Sequence, residues 1–185
     1  MMGNLTEHFT EEELTYSDTA IKYGSTNAPS AIHRKTLKHT CEYFLEPFRK
    51  LLNEYFMGKP YFGKTVKQVI IKITSGYRSE TVNSLLEKEG YHPSKTSQHC
   101  TGEAVDLETV LIYTDDTRNI LPYQETYTLI KTWVKEGKLS VDQCLQEKQG
   151  KALWVHCSYK AGGVPVNRKQ FKKTTDGINF VADGL

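Results

Sequence analysis

Between residues 31 and 56 apolar side chains recur at Leu37, Cys41, Phe44, Phe48, Leu51, Leu52 and Tyr55, the three-and-four spacing of a single helix face. Pro47 falls inside this run and is expected to kink or split the helix, and Gly58 and Pro60 to end it. The rhythm then changes. VKQVIIKIT (66–74) is rich in β-branched residues and reads as a strand. EAVDLE (103–108), LSVDQCLQE (139–147) and ALWVHCSY (152–159) read the same way, the last two joined across KQGK. Helices are expected over 80–88 and, opened by Pro122, over 122–136. A short one covers 9–14, where Thr10 caps and Glu13 follows at capping-box spacing. GSTNAPS, SGYRS, YHPSKTSQHCTG and TDDTRN are the connecting loops. The tail opens with Gly162-Gly163. It carries Arg168, Lys169, Lys172 and Lys173, read as solvated surface, and closes with a short strand in INFVA. The pattern predicts an α+β fold, a mostly antiparallel sheet with flanking helices, in a single domain over 1–185.

Composition narrows the function classes. The 185 residues are 38% hydrophobic and 25% charged with a net charge of +2, which is ordinary for a globular chain and does not suggest a nucleic-acid partner. No apolar run approaches the roughly 20 residues needed to span a bilayer. The opening MMGNLTEHFTEEEL lacks the apolar stretch of a secretory signal, so synthesis in the cytoplasm is expected. Cys41, Cys100, Cys144 and Cys157 form no CxxC pair and are expected to be free thiols. A monomer is expected.

The candidate chemistry sits in SQHCTGEAVD. His99 and Asp106 lie seven residues apart, a spacing that one straight strand would send to opposite faces. A turn at Thr101-Gly102 removes that objection. Hydrolytic zinc takes three protein ligands and keeps a position for water. His156, an imidazole inside the apolar strand LWVHCSY, is the best third ligand. Alternation puts Trp154, His156 and Ser158 on one face and Val155, Cys157 and Tyr159 on the other. His8, His33, His39 and His92 have no partner at ligand spacing and read as surface or core. Cys100 and Cys157 are expected to turn away from the metal as small buried residues.

Ser97, His99, Gly102, Ala104 and Asp106 in the pattern SxHxxGxAxD, followed by WVHCSY, closely resemble the zinc D-Ala-D-Ala carboxypeptidase and L-Ala-D-Glu endopeptidase family. This family cuts bacterial cell-wall peptides and includes phage endolysins. EHFTEEELTYSDTAI, LEPFRKLL, TSGYRSETVN and VDQCLQE occur in the family's order. The resemblance implies a Zn2+ site made by His99, Asp106 and His156, and Arg78 pairing with a substrate carboxylate, which suits the guanidinium fork. Many relatives carry a carboxylate three residues before the last histidine, where this chain has Leu153. The segment VDQCLQE…WVHCSYK is similar instead to the zinc-containing signalling domain of hedgehog proteins, which points to Glu147 as general base, with Asp142 in reserve. Trp154 is expected to wall the cleft, and Gln98 and Glu103 to hold structure. The function expected is a zinc metallopeptidase acting on peptidoglycan stem peptides at the cell wall after release or lysis. The alternative is a zinc-containing domain that binds a peptide or protein without cutting it.

Overall fold

The computed structural model describes residues 3–161, 166–174, 176 and 179–185. The expected Gly162-Gly163 opening of the tail, and Ile178 at the start of its last strand, lie outside the described residues. The architecture is mixed α and β. Helices α1 (Glu11–Thr15), α2 (Asp18–Lys22), α3 (Ala31–Thr40), α4 (Glu46–Phe56), α5 (Glu80–Lys88) and α6 (Tyr123–Lys135) accompany an eight-stranded sheet. Its strands are β1 (Pro60–Tyr61), β2 (Lys64–Ser75), β3 (Ala104–Tyr113), β4 (Arg118–Ile120), β5 (Gln143–Gln149), β6 (Ala152–Ser158), β7 (Gln170–Thr174) and β8 (Phe180–Ala182). The order is β1-β2-β3-β6-β5-β7-β8, with β4 paired to β3; among the described residues only β5 and β7 pair in parallel.

Pro47 does not split the long helix. Residues Cys41–Leu45 form a wide π turn, in which the Glu46 N–H reaches the carbonyl of Cys41, between α3 and α4. A proline cannot donate to the preceding turn and its ring crowds the carbonyl there, and the wider turn accommodates it without breaking the rod. The extra residue rotates the buried stripe. Leu37, Cys41, Phe44, Leu45, Phe48, Leu52 and Phe56 are buried, whereas the expected Tyr55 is 47% exposed. These side chains pack on the inner sheet face made by Val69, Ile71, Val105, Leu107, Leu111, Val155 and Cys157, each large one contributing roughly 1.5–3 kcal/mol. Trp133, Ile130 and Tyr127 of α6 extend the same core.

Other boundaries moved for local reasons. The β5–β6 turn is Gly150-Lys151 rather than KQGK, because Gly150 takes a φ of +58° and the strands pair up to Gln149↔Ala152. Strand β5 starts at Gln143 rather than residue 139, and β3 runs on to Tyr113, where β4 pairs with it. The basic tail is partly structural: Lys172 and Lys173 lie in β7, Lys173 meets Asp183, and Arg168 meets Asp142. All four cysteines are free, with the Cys144 and Cys157 sulfurs facing each other in the core 3.7 Å apart. Cys100 is half-buried. Among the described residues no helix is long and apolar enough to cross a membrane.

Gly76, just after β2, is pressed against α1: a Cβ there would sit 2.2 Å from the carbonyl oxygen of Leu14, which accepts the Tyr77 N–H at 2.7 Å. We expect Gly76→Ala to destabilise the protein by about 3 kcal/mol, the upper end of overpacking. Gly150→Ala has open space around it and should cost only about 1 kcal/mol for its left-handed backbone. Urea unfolding midpoints of the two variants measure the difference.

Candidate metal centre

His99, Asp106 and His156 come together from three segments. His99 lies in a single 3-10 turn, Gln98–Thr101, opened by Ser97, whose hydroxyl accepts the His99 N–H at 3.3 Å. Gly102 closes that turn with φ +76° and packs against α3, where a Cβ would be 2.9 Å from the His33 carbonyl oxygen. The Thr40 hydroxyl holds the Gly102 carbonyl at 2.9 Å. The chain reverses there and enters β3, which is how a spacing of seven brings Asp106 beside His99. His156 arrives from β6, whose register sets it directly opposite Asp106.

The ligand atoms form a tight triangle. His99 Nε2 is 3.1 Å from His156 Nδ1 and 3.4 Å from Asp106 Oδ1, and His156 Nδ1 is 3.0 Å from the same oxygen. Two imidazole nitrogens and a carboxylate oxygen bound to one tetrahedral zinc at about 2.0–2.2 Å would lie about 3.3 Å apart, so the donor set and its spacing fit such an ion. The tautomer fits as well. His99 Nδ1 donates to the Gly76 carbonyl at 2.7 Å, which leaves the Nε2 lone pair facing the centre of the triangle.

The electrostatics keep the proton off both His99 and Asp106. Burial, helped by the Arg78 charge, holds His99 below its ordinary pKa in spite of Asp106. Burial pushes the other way on Asp106, yet the two histidines outweigh it and keep the carboxyl ionised, far below its usual range. His156 feels the same burial, but its hydrogen bond to Asp106 and the charges of Asp106 and Glu147 raise it.

The SGYRS loop is tied into this arrangement. An irregularity in β2 between Ile73 and Ser75 sets Ser75 opposite Asp106, and bulges of this kind re-aim the chain beside sites. Beyond it, Gly76 accepts from the His99 ring and the Arg78 N–H donates to the His99 carbonyl at 3.2 Å. Asn27 fastens the loop from the far side, donating to Thr15 and Tyr77 carbonyls at 2.8 Å and accepting the Ser79 N–H at 2.7 Å. The Arg78 guanidinium makes one long contact, 3.4 Å from Nη2 to the Ser97 hydroxyl, and its Nε is buried with no partner. Among the described residues it has no carboxylate partner. Nothing in the local sequence marks Asn27; only its three contacts reveal it.

Glu147 and Asp142 differ sharply. Glu147 pairs with Trp154, and Leu145 with His156, so Glu147 stands two residues from the histidine on the same face. A straight four-residue hairpin loop would set it about 13 Å away; the observed two-residue turn makes it a diagonal neighbour, about 7–8 Å between backbones. Burial raises its pKa, and Asp106 adds to that against the opposing pull of His156. Asp142 is fully buried and saturated. Its Oδ1 accepts from Arg168 N and Nε at 3.0 and 2.8 Å, and its Oδ2 from Gln98 Nε2 and Arg168 Nη2 at 3.0 and 2.5 Å. It has no lone pair to spare and serves as a strut, with Gln98 tying it to the His99 turn. Thr101 donates to Glu103 at 3.1 Å. His8 pairs with Glu46, His33 with the Tyr77 hydroxyl, and His39 stacks on Tyr43, all apart from the triangle.

Burial pushes the Asp142 pKa up, but its bonds from Arg168 and Gln98 push harder, and it lies below its usual value. Its stabilising contribution is therefore complete above about pH 4 and disappears as pH falls through the lower folded-state value. Arg168→Ala strands a buried carboxylate and should cost about 3–5 kcal/mol at pH 7. Asp142→Asn leaves a half-exposed guanidinium that water solvates and should cost less. Urea unfolding of both variants between pH 3 and 7 tests the ranking and the sign.

Searches among curated proteins and among solved structures return no match. A profile of the peptidase M15 family matches residues 7–129. That span carries the capped first helix, the long helix, Arg78, His99 and Asp106, and stops short of Glu147 and His156. It covers well over half of the chain, and the chain therefore belongs to the peptidase M15 family.

Proposed function

We propose that this chain is a zinc-dependent peptidase that cleaves peptide bonds in peptidoglycan stem peptides. In this reading His99, Asp106 and His156 hold the metal, Glu147 is the general base and Arg78 grips a carboxylate of the substrate. The observation that supports it most is the triangle of ligand atoms 3.0–3.4 Å apart, with the His99 lone pair turned inward by the Gly76 carbonyl.

Zinc, if held by these side chains, would supply Lewis acidity for a water and a carbonyl. The protein's own groups do the rest. Glu147 is half-buried on the triad's face, and burial makes its carboxylate a stronger base than an exposed one. It takes a proton from the attacking water and returns it to the leaving amine nitrogen. Arg78 offers an unpaired Nε and a weakly held Nη2 to a carboxylate in bidentate geometry, keeping the scissile bond in register. Trp154 is half-buried on the same strand face as His156.

Purified protein given peptidoglycan and synthetic stem peptides, with released amines and fragments followed by mass spectrometry, should show cleavage that a chelator abolishes and zinc restores. His156→Ala should lose bound zinc, and unchanged metal content would remove the centre as drawn. Glu147→Gln should keep zinc and lose about 10²–10⁴-fold in kcat. Arg78→Ala should keep zinc and lower kcat/KM by about 10–100-fold. Metal binding with no cleavage of any stem peptide would identify a binding domain rather than an enzyme.

A further inference from the structure

Two buried N–H donors beside the triad complete no hydrogen bond: Arg78 Nε, already assigned to substrate, and Trp154 Nε1. A buried indole N–H normally finds an acceptor, and leaving one unmet is costly. The Glu147 carboxylate is an acceptor close to it in the fold. Glu147 and Trp154 are directly opposed in the β5–β6 ladder, a relation that brings side chains of one face within about 5.5 Å at Cβ. The need is mutual. Glu147 is half-buried, and among the described residues its carboxylate accepts no hydrogen bond of standard geometry. Trp154 is near enough to lower its pKa, although the contact falls short of a formed bond.

We propose that the Trp154 indole N–H is the donor that orients the Glu147 carboxylate, holding one oxygen and leaving the other free to take a proton. Trp154 is thus a positioning residue that acts through Glu147; the inference rests on the assignment of Glu147 as base. Indole suits the task because it only donates and cannot compete for the proton. Its bulk fixes the donor from the neighbouring strand, on the same face as His156.

The chain has two tryptophans, so two indole N–H signals are expected in a spectrum of the zinc-loaded, 15N-labelled full chain, and Trp154→Phe assigns them. Glu147→Gln should move the Trp154 signal upfield and leave that of Trp133 in place; an unmoved Trp154 signal overturns the proposal without any appeal to activity. In assays, Trp154→Phe should keep its zinc and melting temperature and lose about tenfold in kcat with KM unchanged. In the Glu147→Gln background the same substitution should cost nothing more. Losses that multiply, or a raised KM at unchanged kcat, would mean that the indole meets substrate and would overturn the proposal, as would full activity of Trp154→Phe. Full activity of Glu147→Gln alone would remove the base assignment and the positioning role together, an outcome distinct from a failure confined to Trp154.

Discussion

The register between β3 and β6 carries the rest of the structure. Asp106 faces His156 because Ala104 faces Ser158, Val105 faces Cys157 and Leu107 faces Val155. The alternate residues of the same two strands, Val105, Leu107, Val155 and Cys157, are the middle of the hydrophobic core. A slip of one residue would turn those side chains to solvent and the acid and imidazole into the core. The cost of exposing that apolar surface therefore also holds the polar triangle in place. Chemistry and core are two faces of one pairing, and neither can be displaced without the other.

His99 is brought to that pairing by a second, separate device. It sits on no strand, and its place depends on a short turn bounded by a left-handed glycine and on two bonds to the SGYRS loop. One of those bonds, from the ring to the Gly76 carbonyl, also selects the tautomer. The same loop carries Arg78, so the proposed substrate-binding and metal-binding groups share one anchor, fastened to α1 through Leu14 and to the N-terminal segment through Asn27. The N-terminal helices are thus joined to the candidate ligands through this loop.

Much of this was legible in the residues. Period-two alternation in ALWVHCSY placed His156 and Trp154 on one face, and the glycine in SQHCTGEAVD announced the reversal that unites His99 with Asp106. The capped first helix and the 80–88 helix were equally readable, since caps and periodicity are local. What escaped was non-local. Strand β7, packed parallel to β5, has too few residues to advertise itself, and β4 exists only because β3 offers it an edge. The distance from Glu147 to His156 depended on a turn shortened by the left-handed backbone of Gly150, which alternation alone does not specify. Asn27, Gly76 and Arg168 act through partners 12 to 62 positions away in the chain, and no short window of sequence displays such a relation.

Three acids lie near the centre, and their surroundings divide the work among them. Asp142 receives a guanidinium, an amide and a backbone N–H, and with every lone pair occupied it can only brace. Asp106 receives two imidazole nitrogens, each within 3.4 Å of one of its oxygens, a donor set that one cation could share. Glu147 receives no formed bond; burial and the repulsion of Asp106 act on it against the pull of His156 and an indole close by, and burial leads. A carboxylate so placed gains from taking up a proton, whereas the other two gain from remaining charged. In the proposed reading the same functional group in three environments becomes strut, ligand and base, and the difference lies in which donors the neighbouring strands deliver.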